Sequence, residues 1–282
     1  CASDGMTVRI AVLQMTSGIE PRANFDFIHK AASNARADGA EVLFTPEMSL
    51  LLDRDRARAA RYVLPQEYSP FVAALAEQAR ELGIHIALGS MAVALPDARW
   101  ANRSLLFSPS GESPVTYDKM HMFDVDLAGG ENWRESSAYQ PGNEVVTTEV
   151  TIGRDESFQL GLTVCYDVRF PALFEELGRR RCDVIAVPAA FTVPTGEAHW
   201  HVLLRARAIE ASAFVVAAAQ VGQHEDGRRT YGHSLVVDPW GEVLLDMGGE
   251  VPGLGFVDID LARIAEVRAQ VPSLANRREI DT

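Results

Sequence analysis

The chain opens with Thr7–Gln14, a β-branched and apolar run in which adjacent positions are both apolar, so the strand it predicts leaves no face for water. Phe25, Ile28, Ala32 and Ala35 then recur at helical spacing within Asn24–Ala37, and Glu41–Phe44 returns to a strand. A helix starting at Pro70 carries Phe71, Leu75, Ala79 and Leu82 on one stripe and ends at Gly83, ahead of a strand over Ile84–Val93. The second half repeats the rhythm: a helix after Pro171, a strand over Asp183–Pro188, a long helix over Glu197–Ala211 and a strand over Phe214–Ala219. Two turns correspond across the halves. Phe107-Ser-Pro-Ser-Gly-Glu112 and Val237-Asp-Pro-Trp-Gly-Glu242 each set Pro and Gly between β-rich flanks, which predicts a hairpin at each. The expected fold is therefore α/β, a weak duplication of two halves whose mixed sheets pack together under helices.

Composition narrows the function. With 282 residues, 47% hydrophobic and without a Gly/Ser linker, the chain is expected to form one domain over residues 6–282. Residues 1–5, ahead of Met6, are expected to be an expression scar or an upstream extension. The net charge of −13 argues against nucleic acid and anionic membrane as partners. No apolar run reaches the ~18 residues of a membrane span. A small molecule is the expected partner. Three cysteines, Cys1, Cys165 and Cys182, lack the spacing of a disulfide framework or a zinc site, which points to a reducing cytoplasm.

Cys165 carries the chemistry. It lies in Gly161-Leu-Thr-Val-Cys-Tyr-Asp-Val-Arg-Phe-Pro171, where a thiol ends a strand just before a turn and a helix, the place a nucleophile would occupy. Such a thiol needs a base and a partner for the oxyanion. Histidine does not fit: His199 and His201 lie two apart on a helix and face different sides, and His121, His224 and His233 stand in unrelated contexts. Glu47, after a strand and Thr45-Pro46, and Lys119, after Val115–Asp118, are better placed to converge with Cys165 on one cleft. On residue types alone the alternative stands that Glu47 and Lys119 are solvated and Cys165 is core.

Thr45-Pro-Glu47, Tyr117-Asp-Lys119-Met-His-Met-Phe-Asp124 and Thr163-Val-Cys165-Tyr-Asp-Val-Arg-Phe-Pro171 together resemble the Glu, Lys and Cys motifs of the nitrilase, or carbon–nitrogen hydrolase, superfamily, in order and spacing. The resemblance spans Met6 to about Arg278 and implies a four-layer α-β-β-α sandwich, with two mixed sheets face to face, and a homodimer. Arg134-Glu135-Ser136 is similar to the family's second glutamate motif, with Glu131 the nearby competitor. The implied roles are Glu47 as general base, Cys165 as nucleophile forming a thioester, and Lys119 with the Tyr166 backbone N–H on the oxyanion, Glu135 positioning the lysine; the buried ammonium is expected to favour the thiolate. No metal and no organic cofactor is implied.

The stretches Ala217-Ala-Ala-Gln220-Val-Gly222 and Arg229-Thr-Tyr-Gly-His-Ser234 look most like the Nit1-type deaminated glutathione amidases of the Nit branch. Those enzymes release 2-oxoglutarate and cysteinylglycine. The alternatives are an ω-amidase acting on 2-oxoglutaramate or 2-oxosuccinamate, and a carbamoyl-amino-acid amidohydrolase. Arg169 is the expected contact for the substrate carboxylate, its competing role a salt bridge to Asp167, and Tyr166 and Phe191 are expected to line the pocket. Glu197 stands where the branch commonly has proline, which bears on the pocket rim. The polar segment Gly222–Arg229 suits a mobile cover.

Overall fold

The computed structural model describes residues 7–127, 132–153 and 156–278. The first half runs β1 (Thr7–Gln14), α1 (Pro21–Ala37), β2 (Val42–Phe44), α2 (Arg56–Ala59), α3 (Pro70–Leu82), β3 (His85–Ala94), β4 (Trp100–Phe107) and β5 (Val115–Asp118). A small β6 (Asp124–Asp126) and β7 (Asn132–Arg134) connect to the second half. That half contains β8 (Thr147–Ile152), β9 (Glu156–Leu162), α4 (Pro171–Arg179), β10 (Val184–Ala186), α5 (Val193–Ala211) and β11 (Phe214–Ala217). It continues with β12 (Val221–Gln223), β13 (Arg229–Tyr231), β14 (Leu235–Val237) and β15 (Val243–Asp246), before β16 (Gly253–Asp260), α6 (Ala262–Gln270) and α7 (Ser273–Asn276).

Two six-stranded sheets result, β16-β1-β2-β3-β4-β5 and β8-β9-β10-β11-β14-β15. In each, an antiparallel edge strand precedes three parallel strands, and two antiparallel strands follow. The expected duplication thus extends to strand order and direction. Both hairpin turns fall where the sequence places them, one joining β4 to β5 and the other β14 to β15.

The adjacent apolar positions of β1 explain the layering. Val8, Ile10 and Val12 pack inward with Leu160, Leu162 and Val184 of the second sheet, while Ala11 and Leu13 face Phe25 and Ile28 of α1. Helix α3 joins that outer layer through Val72, Leu75 and Ala79. On the opposite side Phe174 and Leu177 of α4 and Trp200, Leu204 and Ala208 of α5 cover the second sheet. The order is helix, sheet, sheet, helix. Burying both faces of both sheets is what makes the strands uniformly apolar.

The helix starts depart from the pattern. Helix α1 begins at Pro21 and α5 at Val193, earlier than the apolar stripes indicate, because proline sits in the first turn of each. His199 and Trp200 therefore lie inside α5. Gly222–Arg229 is tied down as well: β12 and β13 pair as a hairpin, Asp226 binds Arg228 at 2.7 Å, and buried His224 bonds the Ser17 carbonyl and Thr230. This segment is a pinned wall, not a mobile cover.

Candidate active site

Cys165 begins a short 3-10 turn, Cys165–Arg169, between β9 and α4, with φ +48° and its N–H donating to the Pro188 carbonyl at 2.8 Å. A non-glycine residue in the left-handed region carries strain that its surroundings must hold in place. Asp167, fully buried, does much of this: its carboxylate accepts from the Val164 N–H at 2.8 Å and the Tyr117 hydroxyl at 2.7 Å, and from both the N–H and Nδ1 of His121. Tyr117 and His121 flank Lys119, so one carboxylate fastens the cysteine turn to the lysine segment. The loop after β2 supplies Glu47, followed by Met48 at φ +54°. Gln220 fixes that loop, donating to the Glu47 carbonyl at 3.0 Å.

The side chains converge. Lys119, 2% exposed, donates from Nζ to Glu47 Oε1 at 3.0 Å and to Glu135 Oε2 at 2.8 Å. Asn102 Nδ2 donates to the same two carboxylates at 3.0 and 3.1 Å, and the Ala190 N–H reaches Glu47 Oε2 at 2.9 Å. Glu135 also accepts the Phe123 N–H at 2.7 Å, so it is a half-buried partner of the lysine and not a free surface acid. The competitor Glu131 lies outside the described residues, as do residues 1–5.

Two carboxylates around one ammonium set the ionisation states. Burial raises the Glu47 carboxyl, but the Lys119 charge and hydrogen bonds from the Cys165 thiol, Lys119 and Asn102 outweigh it and hold the group below its ordinary value. Burial likewise opposes the Lys119 charge, and Glu135 and Glu47 overcome it, placing the ammonium well above the usual lysine range. For Cys165, burial and then the Glu47 carboxylate push the thiol well up, and Lys119 does not reverse them. The ammonium does favour the thiolate, as expected, but burial and the Glu47 carboxylate outweigh it, so the net direction for the thiol is upward.

Cys165, Glu47, Lys119 and Glu135 open onto a cavity of about 650 Å³, to which Tyr166 and Phe191 also contribute. Arg169 is not part of its lining. The guanidinium stands 5.1 Å from the Phe191 ring and 5.8 Å from Tyr166, with His199 Nδ1 at 3.2 Å, and it does not pair with Asp167, which is engaged with Tyr117 and His121. Glu197 is exposed on α5, away from the rim. A further cluster, His201, His233 and Asp246, brings its ligand atoms within 4.8 Å and could hold a cation, but it too is outside the cavity.

Sequence reasoning missed Asn102, Asp167 as a positioning residue, and the arginines Arg54, Arg56 and Arg228 in the cavity wall. Neither Asn102, in a mixed Ala101-Asn-Arg-Ser104 stretch, nor the arginines offer a local signal, because their partners meet them only in three dimensions.

The carbon–nitrogen hydrolase family model matches residues 9–269, and the chain belongs to that family, which makes it a hydrolase of carbon–nitrogen bonds other than peptide bonds. It is 40% identical over 280 residues to a deaminated glutathione amidase of Yersinia enterocolitica, covering 97% of this chain and 94% of that one. The solved C. elegans NitFhit protein superposes with a TM-score of 0.86 at 35% identity, over 97% of this chain and 65% of the longer NitFhit chain. An amidase from Nesterenkonia sp. AN1 is 28% identical with a TM-score of 0.74, over 94% of this chain and 98% of its own. It carries the product of Michael addition of acrylamide at its active-site cysteine.

Proposed function

We propose that the protein is a thiol amidase that hydrolyses deaminated glutathione to 2-oxoglutarate and cysteinylglycine. The observation that carries this reading is the buried Lys119 ammonium held between Glu47 and Glu135 beside the Cys165 thiol. Glu47 takes the thiol proton as Cys165 attacks the amide carbon, then gives it to the departing amine. Lys119 and the Tyr166 N–H stabilise the oxyanion, and Glu135 and Asn102 fix the lysine. Water activated by Glu47 then cleaves the thioester. The substrate assignment draws on the Yersinia enterocolitica relative and others named for the same activity.

The reading includes a cytoplasmic setting, where the thiol stays reduced. Among the described residues no helix is long and apolar enough to cross a membrane. It also includes a homodimer: Val202 and Ile209, seven residues apart on α5, and Trp240 beyond them leave apolar side chains 68%, 48% and 48% exposed.

The test compares kcat/KM for deaminated glutathione, 2-oxoglutaramate and a carbamoyl amino acid, with the Cys165→Ala protein as blank. Deaminated glutathione is expected to lead, and Cys165→Ala to lose on the order of 10⁴-fold or more in kcat while staying folded. Turnover retained by that variant would reject the thioester route; a lead for either other substrate would reassign the specificity.

A further inference from the structure

Deaminated glutathione has two carboxylates, one on the 2-oxo acid and one at the glycine end, so a site for it needs two anion contacts. The cavity wall remote from Arg169 is rich in arginine. Two of these are already spent: Arg134 pairs with Asp126 at 2.7 Å and Arg228 with Asp226 at 2.7 Å. Asp53, an acid in the same wall, is bound by Arg58 at 2.7 Å. Arg54 and Arg56 have no acidic partner among the described residues, and their ring contacts are with Trp133 and Tyr139.

Arg56 is the more telling of the two. Its Nη2 donates to the Arg134 carbonyl at 3.1 Å, whereas Nη1 is buried without a protein acceptor. Trp133, lining the same cavity, has a buried indole Nε1–H that is also without one. The guanidiniums of Arg54 and Arg228 each stand 5.1 Å from the Trp133 ring, which fixes the indole in a positive field. Buried donors are almost always satisfied, by protein, water or ligand. Two such donors in one cationic wall ask for an acceptor carrying negative charge, and a carboxylate fits a guanidinium best.

The direction of the chemistry says which carboxylate. In the amidase reading the amine departs toward its proton donor, Glu47. From Glu47 the chain runs through Met48, Leu52 and Arg54 to Arg56, all of them lining the cavity. Tyr166, beside Arg169, belongs instead to the turn that carries Cys165, while Phe191 follows Ala190, whose N–H bonds Glu47 at 2.9 Å. We propose that Arg56 and Trp133 bind a carboxylate on the departing amine part, an assignment that rests on the amidase reading and makes amides of short peptides with a free C-terminus the preferred class.

The experiment measures KM and kcat for deaminated glutathione, its glycine methyl ester and 2-oxoglutaramate with wild-type, Arg56→Ala and Trp133→Phe protein, each checked for an unchanged unfolding temperature. Arg56→Ala is expected to raise KM for the acid about 10–100-fold with kcat largely kept, and to raise KM for the ester at least tenfold less. Trp133→Phe should act in the same direction by about 3–10-fold. Equal increases for acid and ester, or an increase for 2-oxoglutaramate as large as for deaminated glutathione, overturn the assignment and leave the amidase reading standing. If the wild type hydrolyses none of the three, the amidase reading falls. Binding of cysteinylglycine and its methyl ester to wild-type and Arg56→Ala protein then decides the wall: tighter acid binding lost in the variant supports it, equal binding rejects it.

Discussion

The two halves of the molecule share a sheet plan and divide the site between them. The first half brings Glu47 from the end of β2 and Lys119 from the end of β5, both buried and ionised; the second brings Cys165 from the end of β9, buried and neutral. Glu135 comes from the connection between halves. The two sheets place several strand ends at one rim, where the first half supplies charged groups and the second the nucleophile. The charges stabilise one another, whereas the thiol adds little beyond its own packing.

Substitution should expose that asymmetry most strongly at Lys119. Lys119→Met leaves two carboxylates facing each other in a buried pocket, and removing one partner of a buried ion pair costs about 3–5 kcal/mol. The midpoint of denaturant unfolding should fall accordingly, with kcat down by at least about 10²-fold from loss of the oxyanion charge. Cys165→Ala, by contrast, should change stability by only about 1 kcal/mol while removing activity. Equal stability losses in the two variants would mean that the charge cluster contributes no more to stability than the packing of the thiol.

The strand–helix order and both hairpins were legible in the sequence, because each rests on local pattern: apolar runs, and Pro and Gly at turns. For Glu47, Lys119 and Cys165 that pattern gave only a position after a strand, and it was the resemblance to the carbon–nitrogen hydrolase motifs that singled them out. The strength of the site was not. Whether Glu135 is a free surface acid or a half-buried partner of the lysine depends on Phe123 and Lys119 meeting it, and the shift of Cys165 depends on how deeply it is buried beside Glu47. Arg56 and Trp133 are 77 positions apart and share a wall only through folding. Arg169 illustrates the opposite case, a residue close to the nucleophile in sequence whose guanidinium packs behind the cavity wall.

Glu47 and Cys165 should also respond to opposite ends of the pH scale. Glu47 has a folded-state pKa below its ordinary 4.5, so its contribution is present above that value and lost as pH falls through the folded one. Cys165 is raised above 9.0; its contribution is full below that value and lost as pH rises through the folded one. Unfolding midpoints of wild-type, Glu47→Gln and Cys165→Ala protein from pH 3 to 10 read this out. The wild-type advantage over Glu47→Gln, about 1–3 kcal/mol near neutrality, should shrink on the acid side only. Its advantage over Cys165→Ala should shrink on the alkaline side only. A Glu47→Gln difference that is flat in acid would show that the carboxylate is not held ionised by Lys119.

The finest comparison lies in the equivalent hairpin turns. Gly111 and Gly241 have φ of +79° and +89°, so alanine is strained at either, by roughly 1–2 kcal/mol. At Gly111 a methyl group would meet only the Arg80 Cδ at 3.5 Å, an ordinary contact. At Gly241 it would meet the Ile209 Cδ1 at 2.7 Å and Cγ1 at 3.0 Å, so that flexible side chain must turn aside. Gly241→Ala should therefore be the more destabilising of the two by less than about 1 kcal/mol, read as a difference in denaturation midpoint. If the turns are structural equivalents, both substitutions lower the midpoint. Free tolerance of alanine at one of them would mean that this turn bears no strain and that the likeness of the halves stops at the sheets.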